Sequence, residues 1–334
     1  MEVDEQLKMG KPSILFRADG NAQIGLGHVM RSLALAQMLG DDFDRRFAIH
    51  LPSPELTAML LNKGIPVVAL PTGGVSEFLS TLNANDIVVL DGYFFDEVFQ
   101  KAIKNKVGKL VFIDDLVRGH QVADVLINHT AGIPVSEYDA EPYTRFLLGP
   151  DYALVNPLFQ PQPLSMSTPT IFVNLGGADP MNISHDLVSW LVATHPDRLV
   201  RVALGGANQH RLSFAQFPDS QVTVLSGLSV AKMAEEITRC QLALVSCSTV
   251  AYEVATIGRP FIGILTADNQ ARLARFFTDN QLALGVLTLP LDLAQLSVLL
   301  TRPDYEASIK QQRRYLDGRA EQRLRRVFRE LATP

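Results

Sequence analysis

The stretch Phe16-Arg-Ala-Asp-Gly-Asn-Ala-Gln-Ile-Gly-Leu-Gly-His28-Val-Met-Arg31 decides the fold prediction for this chain. The apolar run from Ser13 to Phe16 predicts a strand, and a polar, glycine-containing loop leads from it to an amphipathic helix beginning at His28. In such a unit the N–H groups of the helix N-terminus can face an anion. The positive end of the helix also favours a neutral imidazole, which can accept a proton. The stretch therefore predicts an anion-binding loop with an acid–base group beside it.

Short apolar runs alternate with helical stretches throughout the first half of the chain. Several of these runs are continuously apolar, which is typical of parallel strands buried on both faces. The alternation predicts an open, doubly wound sheet with ligand sites at the carboxyl ends of its strands. The predicted strands are Ile14–Arg17, Phe47–Leu51, Val67–Leu70, Ile87–Asp91, Leu110–Asp114 and Val125–Asn128.

A segment with four prolines and no charge, residues 156–169, interrupts this pattern and predicts an interdomain connector. Beyond it the alternation restarts, with helices near 182–194, 229–238, 249–257 and 269–279. We therefore expect an α/β protein of two Rossmann-like doubly wound domains facing a central cleft, at residues 12–155 and 170–315, with a C-terminal helix at 316–334. The predicted strands of the second domain are Thr170–Leu175, Val200–Leu204, Val222–Leu225, Leu242–Ser246 and Phe261–Leu265.

Three segments of the second domain place polar groups where a strand gives way to a helix. In the first, Gly176 and Gly177 would let a ligand approach the backbone, and both Asp179 and Asn182 suit a helix cap or a polar ligand group. In the second, the hydroxyls of Ser248 and Thr249 suit a diphosphate, and Glu253 lies one turn further, within reach of a ribose diol. The third is Asp268-Asn-Gln270. Ordinary capping remains an alternative for each, and a solvated helix position remains one for Glu253.

Further polar residues follow two predicted strands of the first domain. Asp91 and Tyr93 end one strand and join His28 at the carboxyl edge of the sheet, and Asp114 and Asp115 end the next. The aspartate pair allows either a Mg²⁺ site or a solvated strand end. The sequence has no triphosphate-binding loop, no dinucleotide fingerprint after a strand, no metal-binding histidine spacing and no Gly-x-Ser-x-Gly elbow.

Composition limits the partners of the chain. Its 334 residues are 47% apolar and 19% charged, as in globular proteins, and the net charge of −5 does not favour nucleic acid. Cys240 and Cys247 are expected to be buried thiols of a cytoplasmic protein. There is no secretory signal and no apolar run of the ~20 residues that a membrane span needs. We expect a cytoplasmic monomer.

The C-terminal segment is rich in arginine, with seven between Arg313 and Arg329. A patch for nucleic acid or anionic lipid is one interpretation. A helix with a solvated charged face is favoured, because an apolar stripe can dock it. The stripe consists of Leu316, Leu324, Val327, Phe328 and Leu331.

Several linked motifs resemble those of a known family. They are Arg17-Ala-Asp19, Ile24-Gly-Leu-Gly-His28-Val-Met-Arg31, Phe112-Ile-Asp-Asp-Leu116, Ala123-Asp-Val-Leu-Ile-Asn128, Leu148-Gly-Pro-Asp-Tyr-Ala-Leu154, Gly176-Gly-Ala-Asp179 and Asp268-Asn-Gln270. In this order they resemble the hydrolases of pseudaminic acid biosynthesis that act on UDP-2,4-diacetamido-2,4,6-trideoxy-β-L-altropyranose. The resemblance covers about residues 12 to 290. It implies the two-domain GT-B architecture shared with glycosyltransferases such as the lipid II synthase. The chain departs from the family pattern at Asn156, often Arg, and at Gly92, commonly Ser or His.

The resemblance implies a small-molecule UDP-sugar substrate, cleavage of the anomeric C1–O bond by water with inversion, and no cofactor or metal. His28 would be the catalytic base, with Tyr93 and Asn269 near the sugar. The remaining candidate residues would bind substrate, with Asn182 near phosphate and Glu253 at the ribose. They are Arg17, Asp19, Gly25, Gly27, Arg31, Asp91, Gly176, Gly177, Asp179, Asn182, Ser248, Thr249, Glu253 and Gln270. A GT-B glycosyltransferase using a UDP-sugar donor and a non-catalytic nucleotide-sugar sensor stay open as alternatives.

Overall fold

The computed structural model describes residues 10–20, 26–164, 169–301 and 305–333. The chain divides into two compact units. The N-terminal unit takes its described residues from Met1–His129, Ile133–Leu154 and Glu321–Pro334. The C-terminal unit takes them from Thr130–Gly132 and Val155–Ala320. The sequence predicts the two-part division but not the return of the last segment to the first unit.

The N-terminal unit is built on a seven-stranded parallel sheet of order β3-β2-β1-β4-β5-β7-β9, with a separate two-stranded sheet of β6 and β8. Its elements are β1 (Ser13–Ala18), α1 (Gly27–Leu39), β2 (Asp44–His50), α2 (Pro54–Leu61), β3 (Val67–Leu70), α3 (Val75–Ser80), β4 (Ile87–Asp91), α4 (Glu97–Lys104), β5 (Lys109–Ile113), β6 (His120–Gln121), β7 (Val125–Asn128), β8 (Asp139–Ala140) and β9 (Arg145–Leu148). The register aligns Asp91 of β4 with Ala18 of β1 on one side and Ile113 of β5 on the other. The carboxyl ends of these strands therefore meet at one edge.

The C-terminal unit contains a six-stranded parallel sheet of order β12-β11-β10-β13-β14-β15. Its elements are β10 (Thr170–Asn174), α5 (Ile183–Thr194), β11 (Leu199–Leu204), β12 (Val222–Ser226), α6 (Val230–Arg239), β13 (Leu242–Ser246), α7 (Thr249–Ile257), β14 (Phe261–Ile264), α8 (Ala271–Asp279), β15 (Gly285–Leu287), α9 (Leu293–Leu300) and α10 (Glu306–Tyr315). In each sheet the first strand along the chain, β1 or β10, is third from one edge, and the direction in which strands are added reverses beside it. This is the doubly wound arrangement that the sequence predicts.

Burial on both faces explains why the central strands are continuously apolar. Ile14, Leu15 and Phe16 of β1 are inaccessible to solvent, and so are Phe172 and Val173 of β10. A fully buried side chain of this size contributes about 1.5–3 kcal/mol to folding. Each of the eleven predicted strands overlaps an observed one, and β6, β8, β9 and β15 are additions.

The connector is held by the C-terminal unit. Gln162 N–H donates to the Ile257 carbonyl at 2.9 Å, and Arg259 donates through Nη2 to the Pro163 carbonyl at 2.9 Å. Arg259 also donates to the Thr238 carbonyl at the end of α6, so a fully buried guanidinium fixes this segment through backbone oxygens. Its pKa is lowered by burial. The predicted connector residues 165–168 lie outside the described residues.

The final helix, α11 (Ala320–Ala332), packs within the N-terminal unit. Leu324, Val327 and Phe328 are buried, and the Phe328 ring lies edge-on to Phe43 at 6.3 Å. The predicted apolar stripe is thus confirmed for these three residues, although the helix begins at Ala320 rather than at residue 316. Several of its arginines bind carboxylates or carbonyls of the same unit: Arg325 pairs with Glu321 and the Met38 carbonyl, Arg329 with Asp42, and Arg323 with Asp151.

The structure also bears on the predictions for the two cysteines and for membrane-spanning helices. Cys240 and Cys247 are free, buried thiols, as predicted, and burial raises the pKa of each to about 12. None of the helices in the described residues has the length and apolar character that crossing a membrane requires.

Candidate active site

The His28 loop joins β1 to α1 at the carboxyl edge of the N-terminal sheet. Helix α1 begins at Gly27, and His28 is half-buried in its first turn. A Cβ placed on Gly27 would meet no described atom within 4 Å. The predicted contact residue Gly25 belongs to residues 21–25, which lie outside the described residues.

The His28 ring stands edge-on to the ring of Tyr93, with centroids 4.6 Å apart and planes at 88°. Such a pair contributes about 0.5–1.5 kcal/mol beyond its buried area and orients both rings. Tyr93 is 55% exposed and follows β4, in the loop that ends where Asp96 caps α4 through the Phe99 N–H. Gly92 precedes Tyr93, and a Cβ there would lie 2.9 Å from the Phe95 ring. A serine or histidine at this position would therefore require Phe95 to move.

An ion-pair network lies next to this ring pair. His28, Arg31 and Ser32 are three and four residues apart, so they share one face of α1. The Arg31 guanidinium donates to both oxygens of Asp91, with Nε 3.0 Å from Oδ2, and its Nη1 lies 3.0 Å from Oδ2 of Asp115. Ser32 Oγ donates to Asp91 Oδ2 at 3.1 Å. Burial alone would lower the pKa of Arg31, but Asp91 and Asp115 together raise it, so the guanidinium is a fixed positive charge.

The network extends to Tyr93 and to a histidine that the sequence did not single out. Tyr93 donates its hydroxyl to the same Oδ2 of Asp115, at 3.4 Å. His129, just after β7, is buried, and its Nδ1 accepts from the Leu154 N–H at 3.2 Å. Burial and the charge of Arg31 lower the pKa of His129 to about 3, so its ring is neutral. The signal available in the sequence was its position directly after a strand, at the same edge as Asp91.

Two predicted contact residues, Arg17 and Asp91, are inaccessible to solvent in this structure. Arg17 pairs with Asp19, and its guanidinium lies 5.3 Å from the centroid of the Phe95 ring. Asp19 also accepts from the His50 N–H at 2.8 Å. This burial corrects the prediction that Arg17 and Asp91 contact the substrate directly, because no solvent-facing surface is left on either residue. Asp91 supports helix α1, which carries His28, through its bonds to Arg31 and Ser32.

Asp114 is buried, so the prediction of a solvated strand end is wrong for this residue. Its carboxylate accepts from the N–H groups of Leu116 and Val117 at 3.0 and 2.9 Å and from the Tyr138 hydroxyl at 3.1 Å. These bonds close the turn after β5. Asp114 thus fixes the backbone beside Asp115. The Asp115 carboxylate itself accepts from Arg31.

In the C-terminal unit, the Gly176–Gly177 segment lies against the loop that follows β11. Gly176 has φ of +99°, and a Cβ on Gly205 would lie 2.4 Å from the Cα of Gly177. Two loops therefore touch through their backbones, at a distance that only glycine permits at position 205. A Cβ on Gly177 itself would meet no described atom within 4 Å, so this loop is open on its other side.

Asp179 and Asn182 precede α5 and have different partners. Asp179 accepts from the N–H groups of Ile183 and Ser184 at 3.0 and 2.9 Å, so the helix-cap interpretation is confirmed for it. Asn182 has a left-handed backbone with φ of +55°, and its Nδ2 lies 3.4 Å from Ser213 Oγ. Among the described residues, no donor reaches its buried Oδ1.

The first turn of α7 receives no hydrogen bond from a capping side chain among the described residues. The Ser248 hydroxyl bonds to Ser246 Oγ at 2.9 Å, and within the described chain no side chain caps the first turn, which begins at Thr249. One turn further, Glu253 is half-buried rather than solvated. Burial raises the pKa of Glu253 to about 8, so its carboxyl group is mainly protonated at neutral pH. An anion and a hydroxyl-bearing group would both be accommodated here.

The Asp268–Gln270 turn precedes α8. Gln270 turns back, and its Oε1 accepts from the Thr266 N–H at 3.0 Å, so it stabilises its own loop. Asn269 is exposed beside it. Of the two, Asn269 is the residue with a side chain free to meet a ligand on the solvent side.

Comparisons with known proteins agree with this architecture. The chain is 23% identical over 269 residues to UDP-2,4-diacetamido-2,4,6-trideoxy-beta-L-altropyranose hydrolase of Campylobacter jejuni, a match that covers 78% of this chain and 94% of the hydrolase. It is 25% identical over 282 residues to the spore coat polysaccharide biosynthesis protein SpsG of Bacillus subtilis, covering 80% and 82%. The chain is similar to this hydrolase and SpsG. The predicted family resemblance is therefore confirmed.

The fold comparison extends the likeness over nearly the whole chain. The calicheamicin glycosyltransferase superposes with a TM-score of 0.66 at 14% identity, covering 98% of this chain and all of that one. At this identity the likeness shows the fold, which is GT-B with two Rossmann-like domains. No protein-family model matches the chain.

Proposed function

We propose that this protein is a nucleotide-sugar hydrolase that releases UDP from UDP-2,4-diacetamido-2,4,6-trideoxy-β-L-altropyranose. The observation that carries the proposal is the His28–Tyr93 ring pair at the start of α1, backed by the Arg31 ion-pair network. The similarity to the Campylobacter hydrolase over 94% of its length supports the substrate class.

The proposed chemistry needs one activated water. The water oxygen bonds to the anomeric C1 while the C1–O bond to the β-phosphate breaks, and the electron pair of that bond leaves with UDP. His28 accepts the proton of the water, a role typically worth ~10²–10⁴-fold in rate. Attack from the face opposite the leaving group inverts C1. Tyr93 and Asn269 would contact the sugar, and His28 would orient the water.

The C-terminal unit would hold the UDP group. The open backbone at Gly177 and the uncapped first turn of α7 offer N–H donors to phosphate, and Asn182 would lie near it. Glu253 would bind the ribose hydroxyls. Donors fixed at helix N-termini stabilise the negative charge that develops on the leaving oxygen. The reaction so described requires no metal, and excess EDTA is expected to leave the rate unchanged.

The deciding experiment is hydrolysis in H₂¹⁸O without any acceptor. We expect equimolar UDP and free sugar, with ¹⁸O on the sugar and none on UDP, because water attacks carbon. Proton NMR of the first product should show the anomer opposite to that of the substrate. Label on the phosphate of UDP would instead mean attack at phosphorus and would contradict the mechanism.

The calicheamicin glycosyltransferase shares this fold, so a transferase is the second candidate. In that reaction His28 would deprotonate an acceptor hydroxyl instead of water. Release of UDP only when an acceptor sugar is added would support the transferase and overturn the hydrolase. UDP-sugar binding without turnover under any condition would support a non-catalytic sensor.

A further inference from the structure

One carboxylate oxygen joins two segments that the proposed mechanism needs. Oδ2 of Asp115 is 3.0 Å from Nη1 of Arg31, on α1, and 3.4 Å from the hydroxyl of Tyr93, in the loop after β4. The Asp115 side chain is 21% exposed, so this bridge lies at the surface of the sheet edge rather than in the core. The sequence offers Asp115 only as half of a Mg²⁺ site or of a solvated strand end, and the proposed chemistry gives it no role.

We propose that Asp115 is a positioning residue that holds the Tyr93 ring against His28. The inference rests on the proposed function, because its importance comes from the catalytic role of His28. Asp115 touches neither the water nor the sugar in this proposal. It acts by fixing the hydroxyl end of Tyr93, and the ring of Tyr93 then fixes the plane of the imidazole.

The need for such an anchor follows from the exposure of Tyr93. Tyr93 is 55% exposed, so a bond at its hydroxyl adds to the contacts that select its rotamer. Asp115 can supply a fixed acceptor because Arg31 is itself held by both oxygens of Asp91. The anchor chain therefore runs from Asp91 through Arg31 and Asp115 to Tyr93.

The backbone of Asp115 does not depend on its side chain. Asp114 closes the turn through the N–H groups of Leu116 and Val117, and Arg31 keeps both of its bonds to Asp91 when Asp115 is replaced. We therefore expect Asp115→Ala to fold. Its effect should be confined to the orientation of Tyr93 and His28.

The test is a set of kinetic measurements with the UDP-sugar substrate. Asp115→Ala is expected to lower kcat by about 10–100-fold while KM stays within about twofold, because orientation of the reacting groups is lost and the UDP contacts are kept. Asp115→Asn keeps an acceptor oxygen and should recover part of the rate. In a Tyr93→Phe background, adding Asp115→Ala should change kcat by less than about twofold, since the two residues act through one contact.

The matched control is Asp124→Ala. Asp124 is a carboxylate of the same unit, 23% exposed, that pairs with Lys104 at 2.8 Å, well removed in sequence from the His28 motif. Its replacement should leave kcat and KM at wild-type values. A wild-type kcat in Asp115→Ala would overturn the inference. So would a decrease in kcat by the same factor when Asp115→Ala is made in wild type and in Tyr93→Phe.

A measurement on the resting protein separates this inference from the proposed function. With ¹³C-labelled histidine and tyrosine rings, we expect a nuclear Overhauser effect between His28 and Tyr93, as their centroid distance of 4.6 Å requires. This nuclear Overhauser effect should weaken strongly in Asp115→Ala and persist in Asp124→Ala. If wild-type protein hydrolyses no UDP-sugar, the proposed function fails while this signal still decides the positioning role. An unchanged signal in Asp115→Ala overturns the positioning role.

Discussion

At the scale of single residues, His28 combines three conditions that a general base for water requires. It lies at the positive end of α1, it is half-buried, and the Tyr93 ring restricts its orientation. The positive charge nearest to it in the sequence, Arg31, is taken up by Asp91 and Asp115. The imidazole thus lies beside a network in which two carboxylates offset the charge of Arg31, rather than beside a free cation.

Replacement of His28 tests its role as the base. His28→Ala is expected to lower kcat by about 10²–10⁴-fold, because no other group takes the water proton. UDP affinity, measured by titration calorimetry, should stay within about twofold since the proposed UDP contacts lie in the C-terminal unit. His195→Ala is the control, because His195 follows α5 and contacts Thr194. Normal turnover by His28→Ala would rule out the assignment.

Glu253 makes the stability of the protein depend on pH. Its pKa is raised by burial from the ordinary value of 4.5 to about 8, so the folded state keeps a proton that the unfolded chain releases. The free energy of unfolding therefore falls as pH rises from about 4.5 to about 8, by at most about 1.4 kcal/mol per pH unit, and levels off above. Urea unfolding at several pH values should show a smaller fall in Glu253→Gln. If the unfolding free energy of wild type and of Glu253→Gln depends on pH in the same way, the raised pKa of Glu253 is contradicted.

At the scale of elements, the candidate nucleotide site depends on how two loops of the C-terminal unit meet. The loop after β10 and the loop after β11 are adjacent because the two strands are paired in parallel. Their contact is made by Gly205 against Gly177, and His210 adds a bond from its Nε2 to the Pro180 carbonyl at 3.1 Å. The second loop therefore sets the position of the first.

Gly205→Ala tests this dependence. The new methyl group would overlap the backbone of Gly177, so the Gly176–Gly177 loop must shift. We expect UDP affinity to fall about tenfold and the free energy of unfolding to fall by about 1–3 kcal/mol. Gly206→Ala is the matched control, because a Cβ at Gly206 would meet no described atom within 4 Å. Equal UDP affinity in both variants would show that the contact does not shape the site.

Most elements could be predicted from the sequence because their pattern is local. The buried strands β1, β4 and β13 are continuous apolar runs, and each was predicted within about a residue of its observed ends. Four strands were missed: β6 and β8, with two residues each, β15, with three, and β9, with the sequence Arg-Phe-Leu-Leu. β6, β8 and β15 are too short for a periodic pattern, and β9 begins with a charged residue. Each becomes a strand because a neighbouring strand presents unpaired backbone groups to it.

At the scale of the whole molecule, the chain returns to its first unit at the end. Helix α11 places Leu324, Val327 and Phe328 in the core of the N-terminal unit, after the C-terminal unit has been completed. Three of the seven arginines that suggested a binding patch, Arg323, Arg325 and Arg329, hold this helix to Asp151, the Met38 carbonyl and Asp42. The N-terminal unit is therefore completed by the last residues of the chain.

Phe328→Ala tests the contribution of this helix. Removing a fully buried aromatic ring is expected to lower the free energy of unfolding by about 3–5 kcal/mol. Arg326→Ala, at an exposed position of the same helix, should change it by no more than about 0.5 kcal/mol. Urea unfolding measures both. A loss below about 1 kcal/mol in Phe328→Ala would mean that the helix is dispensable for the unit.

The sequence by itself determined the two doubly wound sheets, the strand-to-helix junctions and the residue types at those junctions, since these follow from local apolar patterns and turn residues. Tertiary structure alone decided which of those residues face solvent. Arg17 and Asp91 turned out to be buried supports, Asp179 a helix cap, and Asp115 a partner of both Arg31 and Tyr93. The physical reason is that such contacts join residues tens of positions apart. Strand order and register bring them together, and neither is encoded in any short stretch of the chain.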